Sequence, residues 1–317
     1  MSLGNAIGIP FSPSAGDNSI YDLLNNKIVL HIDGSDTSTM WKDQAGTVPL
    51  TDSNEYARRV DNKAFLNQDA YGNTSTDPLG KFLISLADAN GASPKWVTNA
   101  SGANGYSALY FGGGSQGLYA SMASLAEGAV YDPSGFLSGY SATSSGSGYW
   151  QTWIVIKGSG TVSSEETIFC EAIKENQGCA YANVEWSINI NGTDSQWEQS
   201  IDGNVKDSTV ATTSNLELWT FSGPGGSGNR RIYRNGDPSD GAAMADSNVG
   251  SYRRVLGTNQ DCAAMSIGCH VNNDASTFSK NWQGYLFEMV IAFRNGTTYA
   301  SEITAIDNYL MNKYNIS

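Results

Sequence analysis

The end of the chain constrains the fold more than any other stretch. Asn281 to Phe293 reads Asn-Trp-Gln-Gly-Tyr-Leu-Phe-Glu-Met-Val-Ile-Ala-Phe, followed by an Asn-Gly turn at Asn295-Gly296. Tyr285, Phe287, Met289, Ile291 and Phe293 alternate with Leu286, Glu288, Val290 and Ala292, the pattern of a strand buried on both faces. Ala300 to Tyr314 is the one convincing helix: Ile303, Ile306, Leu310 and Tyr314 make a single apolar stripe. Thr298 or Ser301 suits its cap, Glu302 its positive end and Lys313 its negative end.

The rest of the chain reads as β structure. Among 317 residues there are 35 glycines and only 15 % charged residues, which suits a turn-rich sandwich with neutral polar outer faces. A hydrophobic content of 40 % is enough for a real core. Strands are expected at Lys27–Ile32, Ala108–Gly113, Tyr149–Lys157, Glu166–Ala172, Ala180–Ile190, Gln196–Ile201, Glu217–Ser222, Arg230–Arg234 and Ala264–Val271. Asn191-Gly192 and Asn235-Gly236 suit tight hairpins. Residues 1–26 form an N-terminal arm with an apolar knot at Ile7, Ile9 and Phe11, either a disordered tail or a segment that orders on a partner protein. Residues 128–148 read as a Gly/Ser/Tyr-rich surface insertion within a single sandwich spanning 27–317.

Two stretches carry a resemblance. Gly284-Tyr-Leu-Phe-Glu288-Met289 followed by Tyr309-Leu310-Met-Asn-Lys313-Tyr314 is similar to the ending of laminin-G-like domains of the concanavalin A-like lectin/glucanase superfamily. Asp33-Gly-Ser-Asp36-Thr-Ser-Thr39-Met-Trp41-Lys-Asp43-Gln-Ala-Gly46-Thr-Val-Pro49-Leu-Thr51 resembles a segment of such proteins in tailed bacteriophages and some environmental bacteria. The turn at Asp61-Asn-Lys-Ala64 departs from that pattern. The resemblance implies an all-β, antiparallel jelly-roll sandwich with one C-terminal helix. It also implies a virion surface protein (capsid decoration, head fibre or spike, or tail component) that meets other virion proteins through the arm and touches host glycans. The alternative is a secreted or cell-surface bacterial carbohydrate-binding module. A homo-oligomer stays open in both.

Composition excludes other classes. A formal charge of −13 repels polyanions, so nucleic acid is a poor partner. The pairs Arg58-Arg59, Arg230-Arg231 and Arg253-Arg254 read as strand-edge charge. No run reaches the ~18 apolar residues of a membrane span, and Met1 to Pro10 does not read as a secretory signal. The cysteine pairs Cys170/Cys179 and Cys262/Cys269 are compatible with free thiols, local disulfides or, less well, metal binding beside His270.

Catalytic constellations are not legible. A retaining glycosidase needs two carboxylates ~5 Å apart, which on one strand means alternate positions. Glu165-Glu166 are adjacent, Glu171 and Glu175 would sit ~13 Å apart, and Glu185 and Glu288 are lone acids. His31 and His270 lack a nucleophile elbow, and the loop Gly223 to Gly228 lacks the Lys-Ser/Thr of a phosphate loop. The expectation is therefore a non-enzyme. Laminin-G-like domains often hold calcium on loop oxygens, which makes Asp33, Asp36 and Asp43, or Asn272, Asn273 and Asp274, the candidate ligands, against the simpler role of turn building. Glycan platforms are expected among Trp41, Tyr71, Tyr131, Tyr140, Tyr149 and Trp197.

Overall fold

In the computed structural model the described residues are 19–24, 28–66, 82–87, 89–100, 105–121, 148–173, 186–201, 204–224, 228–237, 244–246, 263–271, 278–295 and 300–317. The expected terminal strand is present as β19 (Gln283–Asn295), and it is the hub of one sheet. That sheet runs β15 (Met244–Asp246), β14 (Gly228–Arg234), β13 (Leu216–Pro224), β8 (Gly148–Gly158), β19, β6 (Ala108–Gly112) and β5 (Lys95–Val97). One edge of β19 is shared: residues 283–286 pair with β6, and residues 288–292 pair with β1 (Ile28–Asp33). The second sheet runs β12 (Asn204–Ala211), β11 (Gln196–Ile201), β10 (Trp186–Ile190), β9 (Glu166–Ile173), β16 (Ala263–Ile267), β7 (Leu118–Ser121), β4 (Phe82–Ser85), β3 (Arg59–Asp61) and β2 (Met40–Trp41). β17 (His270–Val271) and β18 (Phe278–Ser279) make a small separate ribbon. These strand pairings are antiparallel, as the short turn-rich segments lead one to expect. The chain is thus an antiparallel β-sandwich with a C-terminal helix.

The two sheets meet through Leu30, Ile32, Phe111, Ile154, Trp219, Met289 and Ile291 on one side and Val60, Phe169, Ile188, Trp197 and Met265 on the other. Trp197 and Trp219 stack at 4.9 Å between centroids, a dispersion-rich contact at the middle of the core. The other face of the first sheet is covered as well. The helix α3 (Ala300–Tyr314) lays Ile303, Ile306, Leu310 and Tyr314 over Trp153, Val155, Phe287 and Val290. Two short helices, α1 (Ser19–Leu23) and α2 (Lys63–Leu66), join it, and Ile20, Tyr21 and Leu24 bury in the same layer. Residues 19–24, drawn by sequence into the arm, are therefore packed on the sandwich.

Ile7, Ile9 and Phe11 lie outside the described residues, as does the 128–148 insertion apart from Gly148. Cys269 is a buried free thiol whose pKa burial pushes up to about 12, so it is no reactive nucleophile. Cys179 and Cys262 lie outside the described residues. At the β13–β14 side the expected hairpin is present: Asn235 (φ 49°) and Gly236 (φ 71°) both take the left-handed conformation.

One polar contact fastens α3 from its middle. Asp307 accepts Trp153 Nε1–H at 3.0 Å and Thr220 Oγ1–H at 2.7 Å, both rising from the sheet below. Burial raises its carboxyl pKa to about 6, although both hydrogen bonds oppose the shift. A carboxyl raised in the folded state contributes stability that is complete below its unfolded pKa and is lost as pH rises through about 6. Asp307→Asn keeps an acceptor and removes the charge. Urea denaturation of the variant is expected to show about 2 kcal/mol more stability than wild type at pH 7.5, with the difference closing by pH 4.

Candidate functional site

Two polar constellations stand out, one buried and one on the surface. The buried one begins with a bulge. The β19–β8 register shifts between Leu286 and Glu288, so Phe287 and Glu288 both turn towards the helical layer while Leu286 and Met289 face the inter-sheet core. Glu288 Oε2 accepts Lys313 Nζ–H and Tyr314 Oη–H, each at 2.8 Å. Its Oε1 lies 2.9 Å from His31 Nε2. An ionised carboxylate only accepts, so Nε2 donates to it, and Nδ1 lies 2.8 Å from Tyr21 Oη.

Asp33 lies opposite Glu288 in the β1–β19 register. It accepts Ser35 N–H at 2.9 Å and Lys63 Nζ–H at 3.1 Å, with Lys313 Nζ at 3.6 Å. Lys63 also reaches Asp36 at 3.0 Å. Burial works to raise both buried carboxyls. The neighbouring ammoniums, Lys313 first, more than overturn it, and Asp33 and Glu288 are held below the usual carboxylate range. Lys313 is raised in turn: burial alone would lower it, and Glu288 and Asp33 outweigh burial. Gly34 makes the crossing possible. A Cβ there would lie 2.9 Å from Ala108 Cα and 3.0 Å from the Leu286 and Phe287 carbonyl oxygens.

His31, Asp33 and Glu288 offer ligand atoms within 4.8 Å of one another. Calcium asks for six to eight oxygens, whereas here one donor is an imidazole and both carboxylates already face ammonium groups. The donor set is not the all-oxygen one calcium takes, and Lys313 supplies positive charge beside both carboxylates. Asp36 also caps its own turn through Ser38 N–H at 3.2 Å. Asp43 accepts the Thr47 and Val48 N–H groups, each at 2.9 Å, so it too builds a turn. Asn272, Asn273 and Asp274 lie outside the described residues.

The surface constellation lies on the outer face of the second sheet. Met40, Val60, Leu83 and Leu118 point into the core, so their strand neighbours Trp41, Arg59, Ile84 and Tyr119 point outwards. Register sets these four in one row: Trp41 opposite Arg59, Arg59 opposite Ile84, and Ile84 opposite Tyr119. Phe82 lies beside the row with Arg59 Cζ 3.9 Å from its ring centroid, and Phe278 packs on Tyr119 at 5.2 Å between centroids. Trp41, Arg59, Phe82, Ile84, Tyr119 and Phe278 are all half-buried. Asp61 ties the row together by accepting Trp41 Nε1–H at 2.8 Å and Arg59 Nε–H at 2.7 Å. Beyond Tyr119 the row continues through Ser266, Cys170 and Ser187, which are fully buried, so the accessible part is the β2–β3–β4–β7 end.

Of the expected platforms, Trp41 stands in this strip. Trp197 does not: it is fully buried against Trp219, because its strand turns that parity inwards, and this corrects the expectation for it. Tyr149 lies in β8 of the first sheet, and Tyr71, Tyr131 and Tyr140 fall outside the described residues. Arg59, Phe82, Tyr119 and Phe278 were not legible as a group, since they come from separated segments joined only by register.

A carboxylate pair also emerges across strands. Glu198 on β11 sits opposite Asp207 on β12, at the far end of the same sheet from the strip. Burial, with Asp207 and two further acids nearby, raises the Glu198 carboxyl, while an Asn191 Nδ2–H donated to Oε1 opposes the shift.

No protein-family model and no curated protein matches the chain. Solved structures resemble it in part. Trypanosoma rangeli sialidase in complex with 2,3-difluoro-KDN aligns at TM-score 0.44 and 9 % identity, covering 93 % of this chain and 38 % of that one. The Ruminococcus gnavus IT-sialidase CBM40 bound to α2,3 sialyllactose aligns at 0.36 and 9 %, covering 51 % and 83 %. A heptameric SAP-like pentraxin from Limulus polyphemus aligns at 0.35 and 13 %, covering 51 % and 72 %. The chain spans 29 % of the length of another T. rangeli sialidase chain it matches, in complex with the inhibitor DANA.

Removing one partner of a buried ion pair leaves the other charge uncompensated, which costs about 3–5 kcal/mol. Lys313→Met is expected to lose stability on that scale in urea denaturation. Thermal unfolding of the wild-type protein is expected to be unchanged between millimolar Ca²⁺ and EDTA.

Proposed function

We propose that the chain is a non-catalytic, lectin-like carbohydrate-binding sandwich that engages glycan through the outer face of its second sheet. The observation that carries this reading is the row Trp41–Arg59–Ile84–Tyr119, flanked by Phe82 and Phe278, on a rigid sheet. Aromatic side chains offer an apolar face to the C–H groups of a pyranose ring. Adjacent polar groups then fix the orientation of its hydroxyls. Mounting them on strands limits the ordering cost at binding.

The laminin-G-like resemblance supports the same reading, and display on a bacteriophage particle is the setting suggested by the Asp33 to Thr51 segment. In that setting the outer face of the second sheet meets the host surface and residues 1–18 serve for attachment. Mass spectrometry of purified particles tests the setting independently of glycan binding.

Trp41→Ala and Tyr119→Ala are each expected to weaken glycan binding about tenfold, the size of one aromatic anchor lost. Thermal unfolding should move little, because both residues sit outside the core. Glu198→Gln is expected to leave binding unchanged, and incubation with oligosaccharides to release no sugar. Turnover that Glu198→Gln abolishes would replace this reading with a hydrolase centred on the Glu198–Asp207 pair.

A further inference from the structure

We infer that the strip selects uncharged glycans and discriminates against sialylated or otherwise anionic ones; this rests on the binding reading above. Arg59 is the guanidinium within the row, and two of its five N–H groups are already committed. Its Nε–H goes to Asp61 Oδ1 at 2.7 Å, and Nη1–H goes to the Ala45 carbonyl at 3.1 Å. A guanidinium grips a carboxylate through two N–H groups on one edge, either Nε with an Nη or the two Nη groups. The edge that includes Nε has lost that donor to Asp61, and one of the two Nη1–H groups is also engaged. The flat face is used too, lying 3.9 Å from the Phe82 centroid. Asp61 neutralises the charge at close range, and the chain carries −13 overall. A sugar carboxylate reaching the strip would be desolvated against a guanidinium already paired with Asp61.

The loop from Lys42 to Val48 enforces this closed state. Lys42 N–H bonds Val48 O at 2.7 Å, and Asp43 ties the turn from within. Gln44 Nε2–H reaches Ser85 O at 2.9 Å, which fastens the loop to β4. Gly46 at φ 74° passes directly over Arg59; a Cβ there would lie 2.8 Å from the guanidinium. Beside Trp41 the loop ends in Val48, 46 % exposed, an apolar contact rather than a charged one.

The test is a glycan array of neutral oligosaccharides paired with their sialylated or sulfated derivatives, followed by calorimetric titration of the best neutral binder and its charged partner. The neutral member is expected to bind at least tenfold tighter. Asp61→Asn, which removes the compensating charge while keeping an acceptor for Trp41, is expected to narrow that ratio at least threefold. Near-UV circular dichroism checks that the variant keeps its packing. Equal or tighter binding of the charged partner, or an unchanged ratio in a folded Asp61→Asn protein, overturns the inference and leaves the binding reading standing. An array with no binding to either class removes both.

Discussion

The buried Glu288 carboxylate is the contact on which the sandwich's architecture depends. It gathers groups from three elements: His31 of β1, Lys313 and Tyr314 of α3, and, through His31, Tyr21 of α1. It reaches them only because the β19 bulge turns it out of the inter-sheet core. A one-residue slip of β19 would turn the carboxylate into the inter-sheet core, towards apolar side chains of the second sheet such as Phe169 and Met265, and would turn Met289 and Ile291 out of that core. The network therefore acts on register and docking angle more than on total stability. An apolar replacement of the whole set could be as stable, but would not specify where the helix sits.

Covering the first sheet on both faces has a functional consequence. The helical layer packs on its outer surface and the second sheet on its inner one, which leaves the outside of the second sheet as the face for the proposed recognition. Along that face the middle of the row is small and buried at Ser187, Cys170 and Ser266, while the β2–β3–β4–β7 end carries large, half-exposed side chains. Position in the sheet thus separates the surface suited to a ligand from the surface occupied by the chain itself.

What was legible in the sequence follows the range of the interaction. The α3 stripe, the two-sided burial of β19 and the Asn235-Gly236 turn are local patterns, and each is present where the periodicity puts it. Glu288 and the Lys313-Tyr314 pair were legible as two motifs, but not as one site, because the bulge that joins them leaves no periodic signature. Trp197 and Trp41 look alike in sequence, and only the parity of their strands sends one to the core and the other to the surface. The loop aspartates looked like calcium ligands because Asp and Asn serve cation sites and turns equally well. The two lysines that pair with Asp33 lie 30 and 280 residues away, and spacing cannot show that.

The same distribution of charge accounts for the chain's outward character. Its basic side chains are few, 18 against 31 acids, and those in the two constellations are spent on internal partners. Lys313 and Lys63 compensate Glu288, Asp33 and Asp36 under the helix, while Arg59 compensates Asp61 on the strip. Short-range pairing of this kind survives physiological salt far better than a long-range surface field, whose reach is about 8 Å. The acid excess left to solvent repels polyanions, yet the strip itself is locally neutral. It is on a surface of that kind that the proposed selection of uncharged glycans rests, by shape and hydroxyl pattern rather than by charge pairing.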